Sequence, residues 1–212
     1  MSSLPCLADS VRRATTDAAT ATAVVDGDVR WSWNDLDERA DSVARGLVRS
    51  GVGMGDRVAL LAVPSAAAIA ALHGVACIGA VVAPLGVDLT ATELAAAADV
   101  IDPNLVVYDH GLETTAVALD RPVLDLADLV ASRPTAERVM RPPSDPIAPA
   151  VVVLTSGTTG RPKAVVLSTE ALVASAEAWV AALPPATGWF LALGLGHVAG
   201  LGVVWRAALS GV

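Results

Sequence analysis

Residues 58–87 include no aspartate, glutamate, lysine or arginine. A run of that length without charge either crosses a membrane or is buried inside a protein. A membrane span needs about 20 strongly apolar residues in succession. Here Pro64 and Pro84 divide the run, His73 interrupts it, and much of it is alanine. Those breaks predict strand, helix, strand instead. The compact run 57–63 reads as a buried strand. A helix of small residues follows from Ser65 or Ala66 to about Ile78, and small residues imply close packing. A second strand, 80–83, is expected to end at Pro84.

The same alternation extends in both directions. Residues 27–33 look like a strand or hairpin end. Ser32 stands three residues before Asp35, a helix-start capping pattern. Leu36, Ala40, Val43 and Leu47 then recur at helical spacing. Asp37, Glu38, Asp41, Arg45 and Arg49 fall on other faces, and the acidic ones are expected to be solvated. Gly51, Gly53 and Gly55 stop that helix. Thr90 and Glu93 form a second capping pair, opening a helix to about Ala98. Residues 105–108 and 123–126 complete the strands of the first part. Alternating β-α-β units predict an α/β fold with a mainly parallel sheet flanked by helices. Trp31, Trp33 and Tyr108 are expected to be packing residues, and His73 and His110 structural or exposed.

Residues 133–149 contain Pro134, Pro142, Pro143, Pro146 and Pro149, a density that predicts an extended crossing segment. Beyond it come a strand (151–154), a polar loop, a strand (164–167), a helix (169–183), a strand (189–193) and a glycine-rich turn (194–202) around His197. The expected organisation is a lead-in over 1–25, a first α/β subdomain over 26–132, the crossing segment over 133–149, and an incomplete loop-bearing segment over 150–212. The chain stops directly after an apolar run, which reads as a cut. The apolar stretch 201–212 is therefore expected to be exposed and to promote association, either with itself or with a complementing chain.

Charge and cysteine content narrow the partners. The formal net charge is -8 and the pI about 4.7, a poor match to nucleic acid or an anionic membrane surface. Cys6 and Cys77 are far apart and make no metal-ligand spacing, so no metal site is expected. Cys77 lies in an apolar run, as a buried free thiol would. These features, with no signal peptide, predict a reducing cytosol.

The polar loop is the sequence Leu154-Thr-Ser-Gly-Thr-Thr-Gly-Arg-Pro-Lys163, and Lys163 is the sole lysine in the chain. Backbone N–H groups in a glycine-rich turn can converge on an anion, phosphate above all. Gly157 and Gly160 let the backbone approach oxygens closely. Thr155, Ser156, Thr158 and Thr159 add hydroxyls, and Lys163 adds a mobile charge. The nucleotide P-loop does not fit, because Gly157 and Gly160 are too close and Lys163 follows Pro162. A solvated hairpin made of common turn residues is the other reading, and the lone lysine weighs against it.

Thr155-Ser-Gly-Thr-Thr-Gly-Arg-Pro-Lys163 resembles the signature loop of the adenylate-forming superfamily, which includes acyl-CoA synthetases, peptide-synthetase adenylation domains and luciferases. Four more stretches resemble the family in order and spacing: Asp35-Leu-Asp-Glu-Arg-Ala40, Gly51-Val-Gly-Met-Gly-Asp-Arg-Val58, Gly79-Ala-Val-Val-Ala-Pro84 and Thr92-Glu-Leu94. The resemblance runs from about Asp26 to the last residue and implies the first part of a large N-terminal domain. Ala164 departs from the usual glycine. The stretch around Lys163-Ala-Val-Val and His197-Val-Ala-Gly200…Trp205-Arg206 looks most similar to o-succinylbenzoate–CoA ligases of menaquinone biosynthesis.

The resemblance implies a two-step reaction needing ATP, Mg²⁺ and coenzyme A, with a small-molecule carboxylate as substrate. It implies that residues 155–160 cradle phosphates and that Lys163 is catalytic. It also implies a substrate pocket at His197, Gly200 and Arg206. Taken alone, His197 reads more often as a packed structural histidine, and Arg206 reads at least as well as a salt-bridge partner. A non-catalytic phosphate-binding remnant and a module that complements a partner chain are the competing functions.

Overall fold

The computed structural model describes residues 7–131, 138–142, 145–155 and 162–212. Its elements are α1 (Leu7–Ala18), β1 (Thr22–Asp26), β2 (Val29–Ser32), α2 (Trp33–Arg49), β3 (Arg57–Leu61), α3 (Ala66–Cys77), β4 (Val81–Leu85) and α4 (Ala91–Ile101). They continue with β5 (Leu105–Tyr108), α5 (Glu113–Val117), β6 (Val123–Asp125), α6 (Leu126–Ala131), β7 (Pro149–Thr155), β8 (Lys163–Ser168), α7 (Thr169–Ala182) and α8 (Val198–Ser210).

β1 and β2 form a separate antiparallel hairpin whose turn begins at Gly27, with φ +56°. The other six strands make one sheet in the order β6-β5-β3-β4-β7-β8. All its pairings are parallel except β7 with β8. The chain steps from β3 to β4 on one side, then returns to β5 on the other. One core lies under α1, α2, α3, α7 and α8, and a second under α4 and α5. The fold is therefore α/β, with a mainly parallel sheet flanked by helices. No helix among the described residues is long and apolar enough to cross a membrane.

Local chemistry explains the helix starts. The Asp35 N–H donates to the Ser32 hydroxyl, and the Ser32 N–H returns a bond to the Asp35 carboxylate at 2.8 Å. The Ser32 hydroxyl also donates to that carboxylate at 2.6 Å, and this bond, then the one from the Ser32 N–H, holds the Asp35 carboxyl below its usual range. Thr90 and Glu93 do the same for α4. The predicted stripe of Leu36, Ala40, Val43 and Leu47 is buried. α3 packs as closely as its small residues imply. A Cβ built on Gly74 would lie 2.7 Å from Val43 Cβ and 2.8 Å from the Ala40 carbonyl oxygen.

Several expectations need correction. Asp37 and Asp41 are buried, not solvated. Asp37 pairs with Arg138 and with Arg141, and Asp41 pairs with Arg45 and accepts from the Val139 N–H at 3.1 Å. Buried carboxylates need such partners, and two of these arginines lie about a hundred positions further along the chain. β4 runs through Pro84 to Leu85, past the expected stop. Its pairing with β7 is confined to Val82↔Val151, so the missing N–H of Pro84 interrupts no ladder on that side. Residues 189–193 have no strand partner among the described residues. The expected turn over 194–202 gives way at Val198 to α8, whose Leu201, Val204, Trp205 and Ala208 are buried. The stretch 201–212 is thus largely packed, and exposed apolar residues lie upstream of it.

The candidate phosphate edge of the sheet

β7 enters the sheet beside β4 and ends at Thr155, and the chain returns as β8 starting at Lys163. Thr155 and Lys163 are direct partners across this hairpin. The Thr155 hydroxyl donates to the Lys163 carbonyl at 3.4 Å. Both residues are exposed. Ser156, Gly157, Thr158, Thr159 and Gly160, named from the sequence, lie outside the described residues. The described part of the hairpin, Thr155 and Lys163, therefore lies at the C-terminal end of β7.

β3, β4 and β5 are parallel to β7, so their C-terminal ends share this edge. In open α/β sheets, ligands bind in the crevice beyond those ends, where the strand order reverses. Here the reversal falls between β3 and β5. The segment before α8 packs on the same edge, at the C-terminal end of β4. A Cβ on Gly196 would lie 3.1 Å from the Gly86 nitrogen, just after β4. Leu195 is buried and anchors the segment. The His197 N–H donates to the Gly194 carbonyl at 3.2 Å. His197 is the N-cap of α8, makes no side-chain cap bond, and leaves its ring exposed. Gly200 holds the entry to the helix. Its Cβ would stand 2.4 Å from the Gly194 oxygen and 3.0 Å from that of Leu193.

The structure therefore brings Thr155, Lys163 and His197 to one edge. It does not bring Arg206 there. Arg206 sits nine residues further along α8, about 13 Å by helix rise. Its guanidinium carbon lies 5.3 Å from the Trp179 ring centroid and 5.0 Å from that of Trp189. It makes no salt bridge among the described residues, and its buried Nε has no hydrogen-bond partner there.

One further feature escaped the sequence reading. A cavity of about 330 Å³ lies between the β1–β2 hairpin, the start of α3, residues 189–191 and α8. Asp26, Trp33, His73, Leu191 and Val204 are among its walls. His73 is buried and meets Trp205 edge to face, with ring centroids 5.4 Å apart. Burial first, then the charge of Arg141, lowers its pKa to about 4, so the ring is neutral at pH 7. Burial likewise pushes the Cys77 thiol up to about 12, which leaves it unreactive. The described residues contain no cluster of three or more His, Cys, Asp or Glu that suits a metal ion.

The family profile described as AMP-binding enzyme matches residues 11–212. A fumosorinone synthetase of Cordyceps fumosorosea is 34% identical over 152 residues, covering 69% of this chain and 4% of its own length. A 2-succinylbenzoate–CoA ligase of Salmonella typhimurium is 33% identical over 183 residues, covering 85% of this chain and 38% of its own. The solved o-succinylbenzoate CoA synthetase of Bacillus subtilis, in complex with its acyl-adenylate intermediate, superposes with a TM-score of 0.88 at 21% identity. That match covers 96% of this chain and 54% of the other. The chain thus spans well under two thirds of each of these proteins.

Proposed function

The chain belongs to the AMP-binding enzyme family, and from that membership we propose that it carries the phosphate-binding part of an ATP-dependent carboxylate-activating ligase. The carrying observation is the shared edge, with Thr155 and Lys163 paired across the β7–β8 hairpin and His197 at the neighbouring strand end. In the proposed reaction a carboxylate oxygen attacks the α-phosphorus of ATP. The bond to the departing pyrophosphate breaks, leaving an acyl-adenylate. A thiol then displaces AMP, and coenzyme A is the thiol that the family resemblance implies.

Thr155 and the loop 156–160 hold the β- and γ-phosphates in this reading. Lys163 balances charge on the leaving pyrophosphate, where fixed donors lower the barrier most. The hydroxyl and ammonium of the hairpin suit phosphate oxygens, so Mg²⁺ would be carried by the nucleotide and neutralise charge there. His197 borders the acyl site, and Gly200 fixes the turn that presents it. The finer proposal is an aryl-acid substrate of the o-succinylbenzoate kind, supported by the pattern from Lys163-Ala-Val-Val to Trp205-Arg206. A second reading, a module that complements another polypeptide, is favoured by the exposed apolar side chains of Trp179, Val180, Leu183 and Phe190.

Calorimetric titration of Mg²⁺-ATP and of pyrophosphate into the 212-residue chain tests the central reading. Binding is expected to weaken at least tenfold in Lys163→Ala, with an unchanged melting temperature because Lys163 is exposed. Equal binding by the two proteins would remove the proposal. The chain alone is also expected to release no pyrophosphate from ATP with a panel of aryl and acyl carboxylates, since one wall of a site leaves the reacting groups in water.

A further inference from the structure

The cavity between the β1–β2 hairpin, the start of α3, residues 189–191 and α8 stands apart from the phosphate edge. None of Thr155, Lys163, His197, Gly200 and Arg206 lines it. Its volume of about 330 Å³ falls within the range of small-molecule sites, about 300–1,000 Å³. Trp33, Leu36, His73 and Val204 are buried and make its floor, whereas Val25, Asp26 and Phe190 are exposed and mark its mouth. Two atoms of the floor residues break its apolar character. Trp33 Nε1 and His73 Nδ1 are buried and have no hydrogen-bond partner among the described residues. A buried polar atom left unpaired costs stability, and two in the wall of one cavity call for an occupant that bonds them. A single water leaves most of the space empty, since it takes only about 30 Å³ in the liquid.

We propose that this cavity is a second small-molecule site, separate from the phosphate edge, and that it takes an uncharged aromatic alcohol of the phenol class. Trp33, Trp189 and Phe190 in the wall suit a flat ring. A hydroxyl can serve either nitrogen. Its oxygen accepts from the Trp33 N–H, and it accepts from or donates to His73 Nδ1 according to the tautomer of that ring. The ring is neutral at pH 7 and offers no counter-charge. No lysine or arginine among the described residues lines the cavity, and the Asp26 carboxylate stands at its mouth. A carboxylate therefore fits poorly, because a buried anion without a cation is costly. That sets this site apart from one for the acid substrate of the proposed ligase. An occupant also ties residues 189–191 and α8 to the layer of α2 and α3.

Ligand-detected NMR titrations of the 212-residue chain with 2-naphthol, 2-fluoronaphthalene and 2-naphthoate, without nucleotide, test the site. 2-Naphthol is expected to bind, 2-fluoronaphthalene about fivefold more weakly for want of the hydroxyl, and 2-naphthoate at least about tenfold more weakly. His73→Phe and Trp33→Phe are each expected to narrow the gap between 2-naphthol and 2-fluoronaphthalene about twofold or more, while 2-fluoronaphthalene still binds. Ala207→Phe places a ring in the cavity from α8. It is expected to abolish binding of all three probes without lowering the melting temperature, and it keeps the test decisive if a floor variant misfolds. Failure of both uncharged probes to bind would leave water as the occupant and overturn the proposal. So would equal affinity for the two, a preference for 2-naphthoate, or binding that persists in Ala207→Phe. Because no nucleotide is present, failure here is separable from failure of the Lys163 titration.

Discussion

α3 and α7 are both rich in alanine and meet opposite fates, although α7 also carries Glu170 and Glu177. Both are dominated by alanine with a few larger apolar side chains, and neither is clearly amphipathic. In α3 no residue is exposed, because the sheet covers one side and α2 the other. In α7 only Leu172, Val173 and Ala176 are buried, and Trp179 and Val180 face outward. A helix that is apolar all round needs cover on every side, and α3 has found that cover within this chain. α7, with Glu170 and Glu177 among its alanines, is covered on one face. The part from α2 to β6 has its apolar helix covered, whereas the part from α7 to α8 leaves Trp179, Val180, Leu183 and Phe190 exposed.

The largest expected effect breaks this contrast most simply. Leu72→Ala in the closed part removes a fully buried side chain and is expected to cost about 3 kcal/mol. Phe190→Ala removes a larger side chain that is 88% exposed and is expected to change stability by less than about 0.5 kcal/mol. Chemical denaturation of both variants measures the difference, and comparable losses would show that the open part is closed after all.

Acid should act through the boundary between the two parts, where His73 of α3 meets Trp205 of α8. Burial depresses the His73 pKa to about 4 in the folded chain, against about 6.5 when unfolded. The unfolded state therefore binds the proton more readily. Stability is expected to be full above about pH 6.5 and to fall between there and pH 4, by on the order of 3 kcal/mol. His73→Phe preserves the edge-to-face packing and should flatten that window. A fall of the same size in the variant would assign it to other groups.

Two helix glycines give the smallest and sharpest comparison. Gly74→Ala forces a methyl against Val43 and the Ala40 carbonyl and is expected to destabilise by about 1–3 kcal/mol. Gly202→Ala meets only the guanidinium end of the Arg206 side chain, at 3.3 Å. Helix propensity should then prevail and stabilise by up to about 1 kcal/mol. Melting temperatures that move in the same direction would contradict the assignment of these glycines to a closed and an open packing environment.

Much of the closed part is legible in the sequence because its signals are local. Ser32 with Asp35 and Thr90 with Glu93 mark helix starts, and the stripe from Leu36 to Leu47 marks a buried face. What is illegible there is non-local. Nothing near Asp37 predicts that Arg138 and Arg141 will fold back onto it. In the open part the signals mislead for a related reason. Residues 189–193 carry strand propensity, but a strand also needs a neighbour. Glycines in residues 194–202 read as a turn, yet Gly200 and Gly202 lie within α8, and Gly200 is there because a carbonyl passes too close for any side chain. In the candidate site, the lone Lys163 and the loop pattern identify the hairpin. The sequence does not disclose that β4 and β7 are neighbours, which sets His197 beside it.

Backbone amide hydrogen exchange, followed residue by residue on the isolated 212-residue chain, tests the division into closed and open parts most directly. Amides of β3, β4, β5, α2 and α3 are expected to exchange only through global unfolding, and those of residues 186–193 at close to the rate of an unstructured peptide. Protection of residues 189–193 equal to that of β4 would mean that this segment is as closed as the sheet, and would contradict the account.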